Sequence, residues 1–135
     1  MDPSIIKLVG AGIIGAHGIG HLLGWMPAWG IAQFEGVSTR SWLLTGIVGD
    51  GGARVAAGVL FLVPTVGFVA AAAGLMLGMP WWRQVAVGSA VVSLAATGLF
   101  PQAFTTGSTA GSVAVNLVVL YGVLVAGWGT DAAAI

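Results

Sequence analysis

Residues 55–82 read VAAGVLFLVPTVGFVAAAAGLMLGMPWW, and no side chain among them carries a formal charge. Two further stretches share that property, Leu8 to Phe34 and Gln84 to Thr130. A membrane-spanning helix needs about 20 consecutive apolar residues at ~1.5 Å rise each. The first two stretches each supply one crossing. The third supplies two, because Pro101 to Ala110 is polar and rich in Thr, Ser and Gly, which is turn chemistry. The expected architecture is therefore an all-α bundle of four transmembrane helices, forming a single integral membrane domain over residues 1–135. A long, partly helical connection joins helices 1 and 2.

Composition points the same way. Of 135 residues, 58% are hydrophobic and only 6% are charged, against about 25% charged in a soluble domain. The formal net charge is zero, so no basic footprint for nucleic acid exists. There is no cysteine, which removes disulfides, thiol chemistry and cysteine-ligated metal. Glycine supplies 23 residues. Inside apolar runs, glycine lets helix backbones approach closely and gain contacts that lipid does not offer. The stripe Gly12, Ala16, Gly20, Gly24 is expected to be such a packing face, with shorter stripes at Ala70, Gly74, Gly78 and at Gly122, Ala126.

The boundaries follow from proline and turn residues. The first crossing is expected over Ile5 to Met26, ended by Pro27. The second runs from about Ala53 to Leu77, after the turn Gly49-Asp50-Gly51-Gly52, with a bend at Pro64. The third spans Trp81 to Phe100 and the fourth Gly111 to Trp128. Trp25, Trp29 and Trp42 then fall at one boundary and Trp81, Trp82 and Trp128 at the other, as two aromatic belts. In the connection from Pro27 to Gly52, Ser38 is expected to cap a short helix over Thr39 to Ile47. Lys7 and Arg83 lie on the side of the termini, Arg40 and Arg54 on the far side. The count is even, and Arg83 in the tightest turn tips the orientation toward cytoplasmic termini of a protein in the cell (inner) membrane.

The sharpest local feature is Ala16-His17-Gly18-Ile19-Gly20-His21. Histidines four apart share a helical face, and ionisable residues in a membrane segment face the bundle interior. Three readings compete. In the first, the pair makes interhelical hydrogen bonds in a polar core. In the second, His17 and His21 bind a metal with Glu35 and Asp50, or a cofactor with Asn116 and Arg54. A haem would need a second axial ligand from Met26, Met76 or Met79, because two histidines one turn apart cannot reach opposite haem faces. In the third, the pair serves a proton- or quinone-linked role. The metalloprotease motif is excluded, since Gly18 stands where its catalytic Glu would be. His21, Glu35, Arg40, Asp50, Arg54, Gln102 and Asn116 all map to the far half of the bundle, which makes a polar pocket under the connection the default site.

The segment Ala16 to Gly24, the Ser41-Trp42-Leu43-Leu44 of the long connection and the Trp81-Trp82 pair together resemble a broad group of small bacterial four-helix membrane proteins, loosely DoxX-like. The likeness covers most of the chain and implies the same four-helix fold. It supplies no reaction, so no catalytic residue is carried over. Gly49-Asp50-Gly51-Gly52 departs from it, standing where a shorter polar turn is expected.

The expected function is a non-catalytic accessory or structural subunit of a larger membrane complex, partnered by lipid and by other subunits or further copies. The alternatives are a metal-, haem- or quinone-linked redox protein using His17 and His21, and a small oligomeric transporter. No Ser-His-Asp set, phosphate loop or paired acidic motif marks a hydrolase or nucleotide enzyme.

Overall fold

The computed structural model describes residues 2–129; Met1 and residues 130–135, the last part of the expected domain, lie outside the described residues. Among the described residues every regular element is a helix: α1 (Pro3–Gly20), α2 (Leu22–Ala28), α3 (Leu44–Met76), α4 (Trp82–Leu99) and α5 (Thr106–Leu124). α1 and α2 form one leg of the bundle, broken at His21. α3 is the central helix, packed against α1 and α2 on one side and α4 on the other, and α5 packs on α4. Three segments are long and apolar enough to cross a membrane, namely residues 4–28, α3 and α5. α4 is not among them, because Arg83 and Gln84 in its first turn, with Ser89, Ser93 and Thr97 further along, lower its hydropathy. Ser89, Ser93 and Thr97 are buried, on the same face as Ala86 and Ala90.

The outer surface is the apolar one. Ile13, Ile19, Val59, Val66, Val91, Val118 and Leu124 are each more than half exposed, while Asn116 and Ser93 have no exposed surface. That is the reverse of a water-soluble fold. Two apolar clusters sit above and below the polar centre. One gathers Ile14, Phe68, Ala86 and Val119; the other gathers Ala57, Phe61, Phe100 and Phe104.

Contacts between the helix ends and their loops mark the two ends of the bundle. At one end Arg83 Nη2 donates to the Val123 carbonyl at 2.8 Å, satisfying a carbonyl in the last turn of α5. Trp81 and Trp82 cover Gly74, and Trp128 covers Gly122. At the other end Trp29 lies on Gly58, Ser38 N donates to the Gln102 carbonyl at 2.8 Å, and Trp42 Nε1 donates to the Gly98 carbonyl at 2.8 Å. The tryptophans thus divide between the two ends as expected from their positions in the sequence. Asp2 caps α1 by accepting the Ser4 N–H at 2.8 Å, which holds its carboxyl below the usual value.

Four local expectations are corrected. First, the serine that bonds into the start of α3 is Ser41, whose Oγ accepts from Leu43 N and Leu44 N at 3.3 and 3.1 Å, while Thr45 Oγ1 accepts from Ser41 N at 2.9 Å; Leu43 holds the N-cap position itself. Ser38 Oγ instead accepts from Arg40 N at 3.2 Å. Second, the short helix begins at Leu44 and runs into the second long helix through Gly49, whose φ of 74° and ψ of 175° break the helix without ending it. No other residue inside α3 is non-helical, so the break in α3 lies at Gly49. Third, α5 starts at Thr106 inside the stretch read as a turn, because Thr105 caps it by accepting from Ser108 N at 3.4 Å.

Fourth, within α1 the packing stripe is the neighbouring one; of the expected stripe Gly24, in α2, is buried, with Phe61 and Phe104 at 3.0 and 3.1 Å from an added Cβ. Gly12 and Gly20 are exposed and nothing stands within 4 Å of a Cβ added there. The buried positions are Ala11, Ile14, Gly18 and His21. At ~100° per residue Gly20 lies about 160° around the helix from Gly18, so burying one exposes the other. Gly18 is the point of closest approach: an added Cβ would stand 2.8 Å from Phe68 Cβ and 3.1 Å from the Thr65 carbonyl oxygen.

Candidate functional site

The break between α1 and α2 builds the site. In a regular helix the His21 amide would donate to the His17 carbonyl, four residues back. Here it donates to the Gly18 carbonyl, three back, at 3.1 Å. The His17 carbonyl is taken instead by the His21 ring, Nδ1 to O at 2.9 Å. A side chain inserted into the backbone ladder is a recognised cause of a helix bend. Gly18 and Gly20, flanking the bend, lower the helix propensity of this segment further.

Three more bonds complete the network. His21 Nε2 lies 2.6 Å from Ser93 Oγ, Asn116 Nδ2 donates to the same Oγ at 2.7 Å, and His17 Nε2 lies 3.0 Å from Asn116 Oδ1. Donor logic fixes the tautomers of two neutral imidazoles. A carbonyl only accepts, so His21 carries its proton on Nδ1, and Nε2 accepts from the Ser93 hydroxyl. Ser93 Oγ then accepts from the Asn116 amide, and Asn116 Oδ1 accepts from His17 Nε2–H. The chain runs in one direction from the His17 ring through α5 and α4 and back to the His17 carbonyl. Turning the Asn116 amide over would force His21 to donate from both nitrogens, which requires a buried imidazolium.

The surroundings are aromatic and apolar. The two imidazoles meet edge to face at 4.8 Å, and the His17 ring lies 4.9 Å from that of Phe68. Phe61, Phe68 and Phe104 surround His21 with centroids at 6.4, 6.0 and 6.2 Å. His21 is 2% exposed. In such a low-dielectric setting each hydrogen bond is stronger, and each missing one more costly. Nearby on α4 and α5, Thr97 Oγ1, Thr109 Oγ1 and Ser112 Oγ are buried without a partner.

Of the residues named from sequence, the structure brings His17, His21 and Asn116 together. It does not bring Arg54, Glu35 or Asp50 to them. Arg54 Nε donates to the Ala28 carbonyl at 3.4 Å, at the end of α2. Glu35 is exposed in the connection. Asp50 pairs with Arg40, Oδ1 to Nε at 3.4 Å, with both side chains about 70% exposed. Among the described residues no group of three or more His, Cys, Asp or Glu side chains stands close enough to hold a metal ion. Met76 and Met79 are 46% and 41% exposed at the opposite end of α3 from the connection. Ser93, the hub of the network, was missed as a site residue. The signal was the spacing of Ser89, Ser93 and Thr97 four apart along α4, one buried polar stripe.

A pocket under the connection exists, separate from the histidines. It is an open groove of ≈ 510 Å³ lined by Arg40, Ser41, Trp42, Thr45, Gly46, Pro101 and Gln102. Comparison with known proteins finds no matching family model, no similar curated protein and no similar solved structure.

Proposed function

We propose that the chain is an integral protein of the cell membrane that crosses the bilayer four times and serves as a non-catalytic structural or accessory subunit of a larger membrane assembly. The observation that carries this reading is the use of both histidine Nε2 atoms. Each is bonded to a side chain on another helix, so the pair fastens α1 to α4 and α5. Interhelical hydrogen bonds of this kind contribute about 0.6 kcal/mol each in membrane proteins, and at most about 1.7. The fourth crossing is supported by the inward stripe Ser89, Ser93 and Thr97 of α4, which turns its mid-helix polar groups away from lipid; Arg83 and Gln84 stand at its end. The likeness to DoxX-like membrane proteins belongs to this reading and rests on the same histidine segment.

One observation favours the alternative, a ligand held by the histidines. His17 is only partly buried, and among the described residues its Nδ1 makes no hydrogen bond. Both readings meet in one experiment on the full-length protein extracted in mild detergent. A colourless, metal-free protein that resists carbonate extraction and copurifies with other subunits supports the structural role. A Soret band or stoichiometric metal, lost in both His17→Ala and His21→Ala, overturns it.

A further inference from the structure

The groove at the connection end has an unusual hydrogen-bond balance. Ser41 Oγ accepts two backbone N–H groups, so both lone pairs are used and only its hydrogen remains, on a side chain 4% exposed. Thr45 Oγ1 accepts one N–H and keeps its hydrogen. Arg40 Nε lies 3.4 Å from Asp50 Oδ1, and among the described residues its two Nη groups make no hydrogen bond. Among the described residues the Gln102 side-chain amide makes none either. Donors therefore converge from three segments: two hydroxyls, two guanidinium NH₂ groups and a carboxamide NH₂. The side-chain acceptors left are Gln102 Oε1 and one lone pair of Thr45. Such a surplus of donors matches an oxygen-rich anion, and a guanidinium fork matches two oxygens on one centre. A volume of ≈ 510 Å³ is within the ~300–1,000 Å³ range of small-molecule sites.

We infer that this groove holds the phosphodiester of a membrane lipid headgroup. The inference rests on the membrane reading above. A lipid, and not a free anion, is indicated by what flanks the groove. Trp42 is 72% exposed yet fixed by its bond to the Gly98 carbonyl, and an indole so placed suits the headgroup level. Leu43, Ile47 and Val48 beside it are 41%, 68% and 54% exposed, an apolar strip on which acyl chains lie. Asp50 is the opposing charge. Its carboxylate stands beside Arg40 Nε and outside the groove lining, so it weakens anion binding without filling the groove.

The test uses the full-length protein in non-ionic detergent, titrated with short-chain phosphatidylglycerol, with bound lipid counted by native mass spectrometry. The expected result is one retained phospholipid, bound roughly tenfold more weakly by Arg40→Gln, as loss of a charge-assisted bond implies. Arg40→Lys should recover part of the loss, and Asp50→Asn should bind more tightly than the native protein. Equal binding by Arg40→Gln overturns the site, as does equal binding of a diacylglycerol with the same chains. Displacement of the lipid by inorganic phosphate at matched concentration overturns the lipid assignment. Carbonate extraction of the native protein from membranes decides the membrane reading separately, with no dependence on Arg40.

Discussion

His21 Nδ1 donates to the carbonyl of His17 at 2.9 Å, filling the position that the His21 amide leaves when it shifts to Gly18. The pair is thus a backbone device as well as a side-chain one. It bends the first leg of the bundle and turns the His21 ring into the space between α3, α4 and α5. The same ring then meets Ser93 through Nε2. Removing it would affect the course of the helix and the crosslink together.

Ser93 is expected to be the most sensitive polar residue of the bundle. Its Oγ serves His21 and Asn116 at once, at 2.6 and 2.7 Å. Ser93→Ala removes one small group but leaves a buried imidazole nitrogen and a buried amide N–H unpartnered. Each such group costs about 1–3 kcal/mol. With two groups left so, thermal unfolding in detergent should show a loss of about 2–6 kcal/mol. In a double-mutant cycle, Ser93→Ala and Asn116→Ala should be strongly non-additive, since both break one network. Additive losses would mean that the network does not act as a unit.

Thr97 should behave in the opposite way. Its hydroxyl is buried without a partner, in a side chain 4% exposed. Thr97→Val keeps the shape and removes the unpaired oxygen, so stability should stay level or rise by up to about 1 kcal/mol. A loss greater than that, read from the same unfolding curves, would show that the hydroxyl has a partner in the membrane.

Most of the fold was legible in the sequence because the solvent of each segment is written in its charges. The charge-free runs located the long helices, and tryptophan marked both ends. What was not legible depended on contacts between segments. Two small-residue stripes on α1 have the same spacing, and sequence spacing alone cannot choose between Gly18 and Gly20. Burial of His21 decides it. Ser41 and Ser38 both precede the same helix, and it is Ser41 that exchanges bonds with its first turn, Thr45 Oγ1 accepting from the Ser41 amide. In the site, the histidine pair and Asn116 stood out because polar groups are rare in apolar runs. Ser93 did not, since a serine among alanines and valines reads as a small packing residue until its partner is known.

The ends of the bundle predict the topology. Lys7 lies near Gly78 at the end of α3, and Arg83 reaches the end of α5. Single cysteines introduced at Asp2 and Gln84 should therefore react with a membrane-impermeant thiol reagent from one side. Cysteines at Glu35 and Gln102 should react from the other. A native chain without cysteine gives this labelling no background. Reaction of Gln84 and Gln102 from the same side would remove α4 as a crossing.

The two glycines of α1 give the most direct test of its orientation. Gly18 faces α3 so closely that any added side chain meets Phe68 and the Thr65 carbonyl, while Gly20 faces outward with nothing within 4 Å. Overpacking a tight contact costs about 1–3 kcal/mol, and more where backbone must move. The opposing group at Gly18 includes backbone, so Gly18→Leu should lose at least that much. It should also weaken the His17–Asn116 bond by pushing α1 off the bundle. Gly20→Leu adds an apolar side chain to an outward surface and replaces a poor helix former, so the monomer should hold its melting temperature or gain slightly. Should Gly20→Leu leave the isolated protein unchanged but release it from an assembly, the outward stripe is a contact with a partner. Should Gly18→Leu be tolerated and Gly20→Leu unfold the monomer, α1 is rotated by nearly half a turn from the arrangement described, and the His21–Ser93 bond would be lost with it.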